Sequence, residues 1–174
     1  MSLANRPAQS EFDPYYARYV DLVPEGDVIA SLRAQGDATA ALVARVGEER
    51  GGHRYAPGKW SVREVLGHIA DTERIMAYRA LRVARGDATP LPGFDENVYV
   101  AAAGFDTRSL ASIAAELRAV REATVHLLAG LEPRAVGVQG SANGSPITPR
   151  ALAWIIAGHE RHHLAILRER YRVA

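Results

Sequence analysis

The chain has 174 residues, 48% of them hydrophobic, a size and apolar content suited to one domain with a continuous core. Its 21 basic and 20 acidic side chains leave a formal net charge of +1, so no broad field draws in nucleic acid or anionic lipid. Cysteine is absent, which excludes disulfides, thiolate metal sites and a cysteine nucleophile and leaves nitrogen and oxygen as the available metal ligands.

The N-terminal stretch MSLANRPAQSEFDPYY has no basic segment followed by an apolar one, and no later window is apolar over the roughly 18 residues that a membrane span needs. A cytoplasmic protein without membrane contact is expected, a single domain over 1–174 with residues 1–14 as an irregular N-terminal arm. The first helical period follows Pro24 and Gly26: Asp27 is placed to cap it, and Val28, Leu32, Thr39, Leu42, Val43 and Val46 recur on one face. After the break at Gly51, Gly52, Pro57 and Gly58, Ser61 and Glu64 form a capping-box pattern. The apolar stripe behind it runs Val62, Val65, Leu66, Ile69, Met76 and Val83 and stops near Gly86. The connection from Asp87 to Thr107 is long for a bundle, holds a short helix around Glu96 to Ala102, and is of the kind that covers a site. Leu110, Ile113, Leu117, Val120, Thr124, Leu127, Leu128 and Leu131 mark a third helix that ends before Pro133. The segment GVQGSANGSPITP reads as a Gly/Ser-rich surface loop. A fourth helix opens with Thr148 as cap and Pro149 in the first turn and carries Leu152, Ile155, Ile156, Ile166 and Leu167. Nothing alternates at period two for long enough to make a strand, so the expected fold is all-α, an antiparallel four-helix bundle.

Histidines carry the chemistry. In GHERHHLAIL, His159 and His163 stand one helical turn apart and continue the inward stripe of Leu152, Ile155 and Ile156, so both rings point into the bundle. Polar rings in a core need partners. The second helix supplies one, His68, on the flank of the stripe of Leu66 and Ile69. Three neutral imidazoles suit a first-row divalent ion such as zinc or nickel and leave a coordination position for water or substrate. HERHH also matches the HExxH pattern, with Glu160 as general base, but Glu160 sits about 100° around the helix from His159, off the metal face, and only Glu169 follows as a further donor. Asp71 and Glu73 are candidates to orient a ligand histidine, set against pairing with Arg74 and Arg79. Trp60 anchors the start of the second helix or walls a pocket, Trp154 packs between helices or at a dimer face, and Asp95, Glu96 and Asn97 reach the site or cap a short helix. His162 lies at the edge of the site, while His53 and His126 read as ordinary loop and helix residues.

The stretches YAPGKWSVREVLGHIADTERIMAYRALRVARGD, LPGFDENVYV, SLASIAAELRAVREAT and ALAWIIAGHERHHLAILRERY resemble the DinB superfamily, also called the YfiT-like metal-dependent hydrolases, in order and from about Tyr15 onward. The GKW start of the second helix, the GHIADTE segment and the GHERHH segment are the most specific parts. The resemblance implies an up-down-down-up four-helix bundle, usually a homodimer, with a metal held at the positions of His68, His159 and His163. It also implies a metal-dependent enzyme acting on a small molecule, either a hydrolase or a thiol-dependent S-transferase that takes a low-molecular-weight thiol as cosubstrate. The alternative is a non-catalytic, stress-related bundle protein in which the metal or the histidine cluster is structural. No basic patch or recognition motif supports DNA binding.

Overall fold

Each long helix begins where a side chain satisfies its free N–H groups. In the computed structural model, which describes residues 2–173, Asp27 caps α2 (Val28–Val46), accepting from the N–H of Ile29 and Ala30. Ser61 and Glu64 close a reciprocal capping box on α3 (Val62–Ala84), Ser109 caps α5 (Leu110–Ala129), and Thr148 caps α6 (Pro149–Glu169) with Pro149 in its first turn. Two shorter helices complete the set. α1 (Ala17–Val20) follows the N-terminal arm, and α4 (Glu96–Ala103), capped by Asp95, lies in the long connection as its sequence predicts.

The four long helices form a bundle in which α3 packs on α5 and α6, and α2 packs on the same two. The core falls into two clusters. One joins Val28 and Leu32 of α2, Met76, Ala80 and Val83 of α3, Leu128 of α5 and Leu152 and Ile155 of α6. The other joins Leu42 and Val46 of α2, Val62, Leu66 and Ile69 of α3, Ile113 and Leu117 of α5 and Leu164 and Leu167 of α6. Among the described residues no helix is long and apolar enough to cross a membrane.

Two segments depart from the sequence expectation. The loop GVQGSANGSPITP holds a hairpin, β1 (Gly140–Ala142) paired antiparallel with β2 (Ser145–Ile147). Asn143 and Gly144 at its tip both take left-handed φ (52° and 76°), the geometry of a two-residue hairpin turn. Strands of three residues are too short to show an alternating pattern, so only the Asn-Gly pair could have signalled them. The N-terminal arm, though irregular apart from single 3₁₀ turns, is tied down: Arg6 donates to the carbonyls of Val20 and Val23, and Glu11 accepts from Thr148 Oγ1 at 2.8 Å and pairs with Arg150. Trp154 is fully buried beneath the arm and donates its indole N–H to the carbonyl of Leu3, which places it against the chain's own N-terminus and not at a dimer face.

Candidate metal centre

His68 on α3 and His159 on α6 are each 6% exposed, and His163, one turn beyond His159, is partly buried beside them. A glycine precedes each of the two buried rings. A Cβ at Gly67 would overlap the ring of Phe105, and one at Gly158 would overlap the carbonyl of Tyr19, so neighbouring chain presses closely against the helices where the rings emerge. His159 Nε2 lies 3.0 Å from His68 Nε2 and 3.1 Å from His163 Nε2. One potential ligand atom from each of the three residues falls within 4.8 Å of the others.

Hydrogen bonding alone leaves this arrangement incomplete. A neutral imidazole Nε2 carries either one proton or one lone pair, so His159 Nε2 can satisfy one of its two neighbours and not both. Three lone pairs turned toward a shared cation carry no such conflict. Nitrogens about 2.0–2.1 Å from one ion stand on the order of 3 Å apart, the spacing His159 keeps with both partners. The donor set therefore fits a divalent metal ion.

Electrostatics keep the rings ready to bind. Burial holds His68 at about 4, and burial followed by the charges of His68 and His162 holds His163 at about 3. His159 is pushed well below its ordinary value, first by burial and then by His163 and His68. All three are neutral near pH 7. The unfolded chain takes up protons near pH 6.5 whereas the folded rings do not, so the unfolded state binds more protons below that pH and stability falls as pH falls. In metal-free protein the expected loss is about 1.4 kcal/mol per pH unit for each histidine held neutral. It begins near pH 6.5 and continues toward about 4 for His68 and about 3 for His163. Urea unfolding at pH 7.5 and at pH 5 measures it; equal midpoints would show that the rings are not held neutral.

A cavity of about 390 Å³ opens on the trio. The turn before α1 supplies Tyr15 and Tyr16 to its wall and α1 supplies Tyr19, α3 supplies Thr72, Met76 and Arg79, and Phe94 and Glu96 come from the long connection. Asn143 and Ser145 of the hairpin close the far side. Trp60 is part of this wall, with its ring centroid 4.8 Å from that of His68. Tyr19 meets His159 edge-on at 5.3 Å and His162 at 5.4 Å. Asp95 remains a helix cap, whereas Glu96, one residue on, reaches the cavity.

The carboxylate candidates stand elsewhere. Asp71 pairs with Arg74, and the group beside His68 Nδ1 is Thr72 Oγ1, at 3.4 Å. Glu73 is buried and pairs with Arg121 of α5, which also binds Glu160. Glu160 accepts further bonds from Gln35 and Thr39 of α2. Spacing along α3 could not distinguish these outcomes, because the deciding partner, Arg121, lies on another helix. Tyr15, Tyr16, Tyr19 and Arg79 carry no role in the sequence reading of the site. Arg79 carried a usable signal, since it follows His68 by three helical turns and so shares its face.

A helical bundle with three imidazoles set against a cavity of small-molecule size is the class that fold and site define. The sequence profile of the DinB superfamily matches residues 31–167, and the chain belongs to that superfamily. Among solved structures it is similar to YfiT from Bacillus subtilis, described as a probable metal-dependent hydrolase with an unusual four-helix bundle topology. The TM-score is 0.70 at 18% identity over 98% of this chain and 96% of the other, a likeness that establishes the fold. Nothing among curated proteins matches the chain significantly.

Proposed function

We propose that His68, His159 and His163 hold one divalent metal ion through Nε2 and that the protein is a metal-dependent enzyme acting on a small molecule in the adjoining cavity. The observation that carries this reading is the pair of contacts at His159 Nε2, which hydrogen bonds between neutral rings cannot both satisfy. Zinc or nickel, when bound there, would supply a Lewis acid that makes water or a low-molecular-weight thiol nucleophilic near neutrality.

The chain's own residues prepare the reaction. Because burial keeps the imidazoles unprotonated, no proton has to leave them before a ligand bond forms. Thr72 Oγ1 stands at His68 Nδ1 and orients that ring, while Trp60 and Tyr19 cover ring faces and edges that would otherwise meet water. Asp13 in the wall is held below the usual carboxylate range by hydrogen bonds from Ser145 and the Tyr15 N–H, so it stays ionised. The chain has no cysteine and Glu160 is committed to Arg121, which supports a nucleophile, water or a thiol, that enters from solution.

The same reading includes the up-down-down-up helix order. It is supported by the two core clusters, one of which groups the starts of α2 and α6 with the ends of α3 and α5. It also includes the homodimer that the family resemblance implies, which sedimentation velocity tests.

Metal analysis of tag-free protein is the first test, followed by assays of zinc- and nickel-loaded samples on monochlorobimane with a bacterial thiol and on activated esters. We expect uptake of about one ion per chain and turnover that chelation abolishes. Absence of metal uptake, or turnover that chelation leaves unchanged, would sink the proposal.

A further inference from the structure

Three arginines in this protein are nearly or fully nine-tenths buried: Arg79 at 3% exposure, Arg121 at 6% and Arg150 at 9%. A guanidinium does not lose its proton in a protein, so burial demands a countercharge. Arg121 has Glu73 and Glu160, and Arg150 has Glu11. Arg79 has none: it takes part in no ion pair among the described residues. Its partners are neutral. Nη2 donates to the carbonyl of Pro92 at 2.6 Å, Nη1 reaches Met76 Sδ at 3.6 Å, and the Phe94 ring centroid lies 5.8 Å away. The Tyr16 hydroxyl is a further neutral partner, and the five N–H donors of the guanidinium still outnumber these acceptors.

Among the described residues Arg79 is also the one arginine or lysine in the wall of the cavity that holds the histidine trio. Two carboxylates share the wall, Asp13 and Glu96, and neither comes within ion-pair distance of it. Their presence favours a singly charged ligand over a phosphate, whose second charge would be repelled.

We propose that Arg79 is a recognition point for a carboxylate on the small molecule that occupies this cavity. The guanidinium fork presents paired N–H donors that match the two oxygens of a carboxylate, and bringing one in neutralises a charge that the folded chain leaves uncompensated. The geometry also sets the length of the ligand. His68 and Arg79 lie on one face of α3, three turns and roughly 16 Å apart along the axis. The arginine leans back toward the N-terminus, as its contact with Met76 one turn earlier shows. A molecule touching both ends therefore spans on the order of 10 Å. Its middle would pass along Tyr16, Tyr19 and Trp60, a largely aromatic wall.

This assignment rests on the cavity being the reaction site proposed above, and the test keeps the two apart by working on chelator-treated protein. Hexanoate and hexanamide, which share a chain and differ in charge, are titrated into the metal-free wild type, Arg79→Gln and Arg79→Lys, with folding checked by circular dichroism. The expected result is hexanoate binding at least about tenfold tighter than hexanamide in the wild type. That preference disappears in Arg79→Gln and survives in part in Arg79→Lys, which keeps the charge and loses the fork. Zinc or nickel uptake by Arg79→Gln should match wild type, so failure of the metal reading and failure of this one give different patterns. Equal affinity of the wild type for the two probes, a preference that persists in Arg79→Gln, or no hexanoate binding at tens of millimolar overturns the assignment. Should Arg79→Gln fail to fold, the wild-type comparison and Arg79→Lys still decide it.

Discussion

Replacing His159 by alanine is expected to abolish stoichiometric uptake of zinc or nickel while leaving the helical fold in place. His159 is the common neighbour of the trio: its Nε2 is within 3.0 Å of His68 and 3.1 Å of His163, and its ring is buried. Two imidazoles from different helices remain after the change, with a gap where the central donor stood. Removing a group that only orients a metal ligand typically weakens binding about 10–100-fold, so losing the central ligand should cost more than about 100-fold. Calorimetric titration with either ion measures the effect, and circular dichroism reports whether the helices persist. Uptake at wild-type affinity in His159→Ala would refute the proposed ligand set. The same titration in buffers of different ionisation enthalpy gives a second readout near pH 7, where neutral rings should release almost no protons on binding.

Arg121→Met should destabilise the fold strongly, by about 3–5 kcal/mol. Arg121 donates from Nε and Nη2 to Glu73 at 2.9 and 2.7 Å, from Nη2 to Glu160 at 2.9 Å and from Nη1 to the carbonyl of Leu32 at 2.8 Å. One side chain thereby joins all four long helices. Burial works against its charge, but the hydrogen bonds and charges of Glu73 and Glu160 outweigh that and raise its pKa further above the ordinary arginine value. Methionine keeps much of the volume and removes the charge, leaving two buried carboxylates without a cation. Urea unfolding should show the loss, and adding Glu73→Gln and Glu160→Gln to Arg121→Met should recover a large part of it. A variant as stable as wild type, or no recovery in the triple variant, would show that the network does not hold the helices together.

The two experiments separate positions that lie side by side in sequence. His159 and Glu160 are consecutive, yet one ring faces α3 and the cavity while the neighbouring carboxylate faces α2 and α5. The 100° step between consecutive helical residues predicts that divergence. What the step cannot say is what each face meets. For Glu160 the general-base role suggested by HExxH gives way to an ion-pair network, and for Glu73 a role beside His68 gives way to Arg121. The group actually beside His68, Thr72, is a hydroxyl one turn along the same helix, a residue type that a search for carboxylates passes over.

Whatever depends on a few neighbouring residues could be read from the chain alone. Asp27, the Ser61 and Glu64 box, and Thr148 with Pro149 mark the helix starts because a free N–H is satisfied within three residues of its cap. The one-turn spacing of His159 and His163 puts their rings on one side because the helix repeat demands it. Tertiary structure decided the rest, by bringing together residues that lie tens of positions to more than a hundred positions apart. The tyrosines at the start of α1 and the Asn143 hairpin meet across the cavity, and Thr39 of α2 reaches Glu160 of α6. Such contacts repeat at no period and satisfy no local donor. They are selected by which buried polar groups can pair once the helices pack, and among the described residues Arg79 is the buried arginine that this packing leaves at the cavity with neutral partners and no ion pair.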